Sequence, residues 1–298
     1  MTPLLLLCYP GRALHLIAVI GFAAVLSLPA ADNAALRQAL TFHASFDRGT
    51  EADFGLGDRA IYYAPSMNKR TEAKAGLPAD ETVAHAKESG KFGDALRFNK
   101  KKAPLIFFHA DKNVVYAAKD WSGTASLWLS VDPQAELEMG FCDPIQITPR
   151  AWNDAAFFVE FEKRKEDIPF RLGVYADYKV WNPADRKWEQ IPLNEKPLLT
   201  VGQPPFGTGR WTHIVFTWEK FNTGKPDGVS KLYLNGQLQG ALTPREQTFT
   251  WDPTKTSIMV GVGYIGLFDE LSLFNRALTT EEVAALNHLP RGVKGLLP

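Results

Sequence analysis

Cysteine is scarce in this chain. Cys8 and Cys142 are the two among 298 residues. Cys8 falls in a leading segment that reads as removable, so the mature chain has no partner for an intrachain disulfide. Stability must come from a large core or from a bound ion, and a calcium ion suits an exported protein. An excess of either charge is also missing, because 33 basic residues face 33 acidic ones. A balanced chain has no long-range pull toward nucleic acid or an anionic membrane, and neither is expected as a partner. No His-Glu-x-x-His, cysteine pair or close histidine cluster occurs, so the usual transition-metal signatures are absent. No serine stands in a Gly-x-Ser-x-Gly elbow, which argues against that nucleophile.

Long apolar runs are missing from the body of the chain and confined to its start. Arg12 is the only charge before Asp32, and Ala13 to Leu28 is apolar and followed by Pro29-Ala30-Ala31. This pattern predicts a secretory signal peptide over residues 1–31, shorter than the roughly 20 residues that a spanning helix needs. No transmembrane span is expected, and the location is secreted or extracytoplasmic, with periplasm or cell surface included. Leu5-Leu6-Leu7-Cys8 is a poor lipidation signal, since a leucine precedes the cysteine and the apolar core follows it. Residues 32–298 then form one exported domain, of a size that β-sandwiches commonly reach undivided.

What is present is mostly strand-like. Alternating or β-branched segments run over Leu105–His109, Asn113–Ala117, Ala125–Val131, Ala155–Glu162, Phe170–Ala176, His213–Trp218, Ser230–Leu234, Gln237–Ala241, Ser257–Val262 and Leu267–Phe274. Asn235-Gly236 is a type I′ hairpin turn, because both central positions of that turn need positive φ. Asn33 to Leu40 reads as a short helix or lead-in, and Ser66 to Gly90 as a polar surface insertion with some helix. Thr279-Thr-Glu-Glu282 is a capping box that starts a helix over Glu281–Leu289, and the tail Arg291–Pro298 reads as a frayed end.

Within the last strand, Leu267, Asp269, Leu271 and Leu273 share a face by the two-residue repeat. A carboxylate in an apolar row must be met by a cation, an arginine or backbone N–H groups, since leaving it unpaired costs several kcal/mol. Asp47 ends the first strand. If the first and last strands are neighbours, Asp47 and Asp269 form a candidate oxygen-ligand site for calcium; the alternatives are pairing of Asp269 with Arg97 or Arg276, or backbone N–H bonds.

The sequence Gly263-Tyr-Ile-Gly-Leu-Phe-Asp-Glu-Leu-Ser-Leu-Phe-Asn-Arg-Ala-Leu278, running into the capped helix, resembles the C-terminal signature of laminin G-like domains of the concanavalin A-like lectin/glucanase superfamily. Leu40–Asp47, Gly93-Asp-Ala-Leu-Arg-Phe98, Thr124–Asp132, Trp211-Thr-His213 through Trp218, and Lys231-Leu-Tyr-Leu-Asn-Gly236 are similar to earlier pieces of that family, in the same order. The resemblance implies an all-β, two-sheet antiparallel jelly-roll sandwich with a short C-terminal helix, in which a structural calcium ion is frequent. Function is less determined, because lectins, adhesion modules and polysaccharide-cleaving enzymes share this scaffold.

Phe141–Asp154 reads as an unusual non-strand segment. It groups Asp143, Gln146, Trp152, Asn153 and Asp154, the residue types that contact sugar hydroxyls and stack on sugar rings. Asp143-Pro144 and Thr148-Pro149 are equally ordinary turn formers. Tyr178, Trp181 and Trp188 lie in a second long connection, Asp177–Pro205, where exposed aromatics either stack on sugars or anchor the loop. His43 and His213 read as core or sheet-surface histidines. Glu136/Glu138 and Glu160/Glu162 have the alternate spacing of glycosidase acids without the surrounding Glu-x-Asp-x-x-Glu pattern. The expectation is an exported, non-catalytic glycan- or surface-binding module using Asp143, Gln146, Trp152, Asn153, Tyr178 and Trp181. A structural or adhesion module with an extracellular protein partner is the alternative, and a hydrolase or lyase the third reading.

Overall fold

The computed structural model describes residues 33–297. The signal-peptide expectation therefore lies outside the described residues. The helices are α1 (Asn33–Ala39), α2 (Tyr178–Trp181) and α3 (Thr280–Asn287). The first strands are β1 (Leu40–Ala44), β2 (Phe54–Gly55), β3 (Tyr62–Ala64), β4 (Lys74–Ala75), β5 (Val83–Ala86), β6 (Ala95–Phe98), β7 (Leu105–His109) and β8 (Trp121–Ser130). They continue as β9 (Gly140–Thr148), β10 (Ala156–Lys163), β11 (Phe170–Tyr175), β12 (Leu198–Val201) and β13 (Trp211–Phe221). The last are β14 (Val229–Leu234), β15 (Gln237–Ala241), β16 (Ser257–Val262) and β17 (Gly266–Phe274).

Two antiparallel sheets result. One runs β15-β14-β13-β8-β17-β1-β2, with β6 on β17 and β5 on β6; the other runs β12-β11-β10-β9-β16-β7-β3-β4. Sequential hairpins at the edges, non-sequential neighbours β13-β8-β17-β1 and β9-β16-β7-β3 in the middle of each sheet, and β1 beside β17 give the jelly-roll sandwich that the resemblance implies. Alternation along each strand decides the core: Phe157, Val159 and Phe161 of β10 face Ile214 and Phe216 of β13, all buried. Trp121, Phe157, Trp218, Phe249 and Trp251 interlock at centroid distances of 4.8–5.8 Å. Each such ring removes enough apolar surface from water to stabilise the fold by roughly 2–3 kcal/mol. The hairpin at Asn235-Gly236 has φ of 50° and 77°, as its turn type demands. In α3, Thr279 Oγ1 accepts the Glu282 N–H at 3.2 Å and Glu282 Oε2 accepts the Thr279 N–H at 2.9 Å, so the expected capping box is formed.

Four expectations are corrected. Phe141–Thr148 belongs to a strand, β9, inserted between β10 and β16 in mid-sheet. Pro144 disguises it: the register shifts between Val159 and Phe161, so that Asp143 and Pro144 together face Glu160, and a bulge accommodates a residue without an N–H. Asn113–Ala117 is not a strand; Asn113 instead ties loops together, its Oδ1 accepting the Gly57 N–H and its Nδ2 donating to Asp58 and His109 carbonyls. Asp269 does not share a face with Leu271 and Leu273. Three steps along β17 from Asp269 to Ser272 oppose two along β8 from Trp128 to Ser126, and Glu270 at φ 56° is the extra residue that flips the phase. The tail is packed rather than frayed, with Val293 and Leu296 buried beside α1 and Leu286 of α3. Ser66–Gly90 keeps a short 3-10 segment over Met67–Glu72, but adds β4 and β5 to the sheet edges.

These elements treat the two outer faces differently. That of the first sheet is covered by α1, α3 and the C-terminal segment, which pack on Leu40, Val215, Tyr233 and Phe274. That of the second sheet carries Gln146, Phe158, Glu160, Arg171 and Tyr175, because their neighbours in sequence point into the core.

Candidate functional site

Tyr175, at the end of β11, is a buried ring around which three indoles gather. Its ring lies 5.1 Å from Trp181, 5.5 Å from Trp152 and 6.5 Å from Trp188, with Trp181 and Trp152 edge-on. These indoles line a pocket of about 420 Å³ together with Asn153, Tyr178, Arg186 and Lys187. Hydrogen bonds fix its walls. Trp181 Nε1 donates to the Asn153 carbonyl at 2.9 Å, and the Tyr178 N–H donates to Asp154 Oδ1 at 2.9 Å, so the two loops expected to hold ligand residues are stapled to each other. Arg150 clamps both, lying 3.3 Å from Asp154 and 2.6 Å from Asp177. Asn182, almost wholly buried, accepts from the Arg186 N–H and donates to the Arg186 carbonyl, both at 3.0 Å. Tyr178 Oη donates to Asp185 Oδ1 at 2.5 Å, leaving its ring on the pocket wall. Trp152 is 52% exposed, a flat apolar face open to a ligand and held by its edge.

The structure thus brings together Trp152, Asn153, Tyr178 and Trp181 of the expected set, with Trp188 added. Asp143 and Gln146 lie on the same outer face but farther along, on β9. Glu160 and Arg171 oppose each other across β10 and β11, Arg171 Nη2 reaching Glu160 Oε1 at 2.6 Å and Nη1 reaching Glu162 Oε2 at 2.5 Å. Arg171 also covers the exposed Phe141 ring at 5.3 Å. Burial holds the Asp143 carboxyl well above the usual range, and the neighbouring Glu160 adds to this while Arg171 opposes it. Burial raises Glu160 too, again against Arg171. The Tyr175 phenol is pushed upward by burial and by Glu160, so it stays neutral. The side chains of Asp143, Gln146 and Tyr175 hydrogen-bond to no other described residue; Asp143 is half-buried, and the polar heads of Gln146 and Tyr175 still touch solvent.

Tyr175 and Arg171 escaped the sequence reading, which treated Phe170–Ala176 only as a strand. The signal was there in the alternation, since Arg171, Gly173 and Tyr175 interrupt the buried row Phe170, Leu172, Val174. The acids with alternate spacing separate into two kinds. Glu136 sits in a turn, tied to Arg97 at 2.8 Å and to the Asp132 N–H at 2.7 Å, and Glu138 is exposed beyond it. Glu160 and Glu162 do share a strand face, but both are held by Arg171.

The two acids expected to bind calcium lie at the seam of β1 and β17. Asp269 is fully buried; its Oδ2 accepts the N–H groups of Lys91 and Phe92 at 2.7 and 3.4 Å, and its Oδ1 that of Glu270 at 2.7 Å. Arg97 and Arg276 are engaged elsewhere, with Glu136 and Glu282. Burial pushes Asp269 up to about 8, while those three amides and the nearby Asp47 pull in opposite senses. Asp47 Oδ1 accepts the Asp94 N–H at 3.0 Å and Oδ2 meets Lys294 Nζ at 2.6 Å. Donors and a cation compete for the same lone pairs, so a calcium ion held by Asp47 and Asp269 would have to displace Lys294 or the amides. His43 and His213, both buried, form ladders with serines on the same face: His43 Nδ1 with Ser272 Oγ at 3.0 Å, His213 Nε2 with Ser126 Oγ at 2.8 Å.

Comparison with known proteins bears on this architecture. Domain 4 of a GH43 extracellular arabinanase from Geobacillus stearothermophilus, solved with arabinotriose, superposes with a TM-score of 0.51 at 19% identity, covering 83% of this chain and 97% of that one. The ligand-binding domain of botulinum neurotoxin serotype D, solved with N-acetylneuraminic acid, gives 0.51 at 13% identity over 86% of this chain and 52% of that one. The binding domain of Paraclostridial Mosquitocidal Protein 1 gives 0.51 at 12%, over 85% and 52%. The chain spans about half the length of these two toxin domains. At such identities the likeness is one of fold. No curated protein matches the sequence. The family profile described as the concanavalin A-like lectin/glucanases superfamily, a laminin G type, matches residues 118–284, from the strand before the bulged β9 into the capped helix, and the chain belongs to that family.

Proposed function

We propose that this chain is an exported, non-catalytic module that binds glycan on a polysaccharide or an extracellular surface through the Trp152–Trp181–Trp188 pocket. The observation that carries the reading is the arrangement of three indoles around Tyr175, with Trp152 half exposed, beside the side chain of Asn153. Aromatic faces stack on the apolar faces of sugar rings while a neighbouring amide takes ring hydroxyls. Fold neighbours solved with arabinotriose and with N-acetylneuraminic acid support a sugar as the ligand class. The non-catalytic part is supported by Glu160 and Glu162, whose charge is committed to Arg171. Export is supported by the leading apolar run and by the extracellular arabinanase among the neighbours. No helix among the described residues is long and apolar enough to cross a membrane.

A glycan array probed with the chain, followed by titration of Trp152→Ala and Trp181→Ala, tests this. Binding to a defined saccharide that falls at least tenfold in both variants is the expected result. An empty array with retained capture of an extracellular protein would replace the reading with an adhesion role. Turnover of a polysaccharide that disappears in Glu160→Gln would replace it with catalysis.

A further inference from the structure

A second cavity, of about 360 Å³, lies where the connection between β1 and β2 meets the C-terminal segment that follows α3. Its walls are Arg48, Asp53 and Phe54 on one side and Arg291, Lys294 and Leu297 on the other. It shares no residue with the indole pocket. Buried contacts fix both walls. In the connection, Asp47 Oδ1 accepts the Asp94 N–H at 3.0 Å and Asp53 Oδ2 the Ser45 N–H at 2.8 Å. In the C-terminal segment, Val293 and Leu296 are buried, and the Val293 N–H donates to Glu270 Oε2 at 3.1 Å. Lys294 Nζ ties the two together through Asp47 Oδ2 at 2.6 Å.

Two guanidinium groups in these walls are left without a partner. Arg97, Arg150, Arg164, Arg171, Arg186 and Arg276 each meet a carboxylate. Arg48 and Arg291, one from each wall and both exposed, form no hydrogen bond or ion pair with another described residue. Lys294 spends one ammonium proton on Asp47 and has two more to give. Asp53 is the one acid on the lining, and its Oδ1 has no partner among the described residues. The lining therefore carries a surplus of positive charge beside a single free acceptor. One guanidinium fork already satisfies both oxygens of a carboxylate, whereas a phosphate or sulfate group offers three terminal oxygens, enough for forks from two walls. The volume is that of a small organic ligand rather than a bare ion, and Phe54 and Leu297 supply apolar surface for it.

We infer that this cavity is a second binding site, for a small hydroxylated phosphate or sulfate ester. Arg48 and Arg291 grip the oxyanion, Lys294 adds a donor, Phe54 and Leu297 pack on the organic part, and Asp53 Oδ1 accepts one of its hydroxyls. The site goes beyond the glycan reading and does not depend on it.

Calorimetric titration of the chain with glucose 6-phosphate and glucose 6-sulfate tests this, with inorganic phosphate, inorganic sulfate, glucuronate and glucose as comparisons. At least one ester should saturate a single site, and which one does so identifies the oxyanion. The inorganic ions, glucuronate and glucose should each bind at least tenfold more weakly there. Arg48→Gln and Arg291→Gln should each lose about tenfold or more, the loss typical of a charge-assisted hydrogen bond. Arg210→Gln, which removes an exposed arginine that lines neither cavity, should bind as the wild type does, and so should Trp152→Ala. Thermal melting checks that the variants fold. Absence of binding by both esters, equal affinity for glucuronate or for the bare ions, or a loss in Arg210→Gln as large as in Arg48→Gln would overturn the inference. A loss confined to Trp152→Ala would overturn it too, by moving the ester into the indole pocket, while failure of the ester to bind leaves the glycan reading untouched.

Discussion

Asp269 Oδ2, in the last strand, accepts the backbone N–H of Lys91 at 2.7 Å across 178 positions of sequence. One carboxylate thereby fixes the loop of residues 87–93 against the first sheet, where Lys91 Nζ also sits 4.7 Å over the Trp128 ring. Gly90 must be glycine for this approach, since a Cβ there would stand 2.8 Å from the same oxygen and 2.2 Å from the Asp94 carbonyl. Removing the carboxylate strands the amides of Lys91, Phe92 and Glu270. Asp269→Ala should therefore destabilise the fold by about 3 kcal/mol, read from urea unfolding. A midpoint equal to wild type would show that the loop is held by other contacts.

Glu270 sets a pH dependence. Its Oε2 accepts the Val293 N–H at 3.1 Å, while its buried Oε1 has no partner among the described residues. Burial, then Asp269, pushes its carboxyl up to about 9. Unfolded, the group loses its proton near the ordinary carboxylate value, so between the two the native state binds more protons. Stability is fully present below the unfolded value and drains away as pH rises toward 9, by at most about 1.4 kcal/mol per pH unit for one group. Denaturant midpoints should fall from about pH 6 to about pH 9, and Glu270→Gln, which is permanently neutral, should flatten that slope.

At the acid end the sign reverses. Burial lowers His43 to about 4 and His213 to about 3. Both take up a proton on unfolding before they can do so folded, so stability falls as pH drops below about 6.5. Replacing His213 with glutamine should move the acid-unfolding midpoint to lower pH, followed by tryptophan fluorescence. An unshifted acid limb would assign acid unfolding to other groups.

Gly292 and Gly93 sit where side chains do not fit. A Cβ at Gly292, with φ 59°, would lie 2.1 Å from Glu270 Oε2, and one at Gly93, with φ 86°, 2.1 Å from Asp47 Oδ1. Each alanine variant should cost about 2–3 kcal/mol, through positive φ and displacement of the acid. Gly292→Ala should in addition release the C-terminal segment, visible as faster amide exchange at Val293. Protection unchanged there would mean that the packing of Val293 and Leu296 holds the tail by itself.

Occupied lone pairs at Asp47 and Asp269 make a statement about calcium. Lys294 and the amides hold the oxygens that a cation would need. The melting temperature should be the same with calcium and with chelator, measured by calorimetry. A rise of several degrees with calcium would mean that the ion displaces Lys294.

The sequence alone determined the strands with two-residue alternation, the Asn235-Gly236 hairpin, the Thr279 capping box and the family. These rest on local rules: steric limits on φ, a cap within four residues, side chains alternating about one strand. It also named Trp152, Asn153, Tyr178 and Trp181, since aromatic and amide side chains in connections are informative by type. Tertiary structure decided the rest. Only pairing with β10 and β16 makes the proline-bearing Phe141–Thr148 a central strand, and only the extra residue at Glu270 turns Asp269 away from Leu271 and Leu273. Neither could be read locally, because a bulge is a mismatch in count between two strands and exists only when both are present. Tyr175 likewise became the meeting point of three indoles that reach it from two other loops, a convergence that distance along the chain conceals.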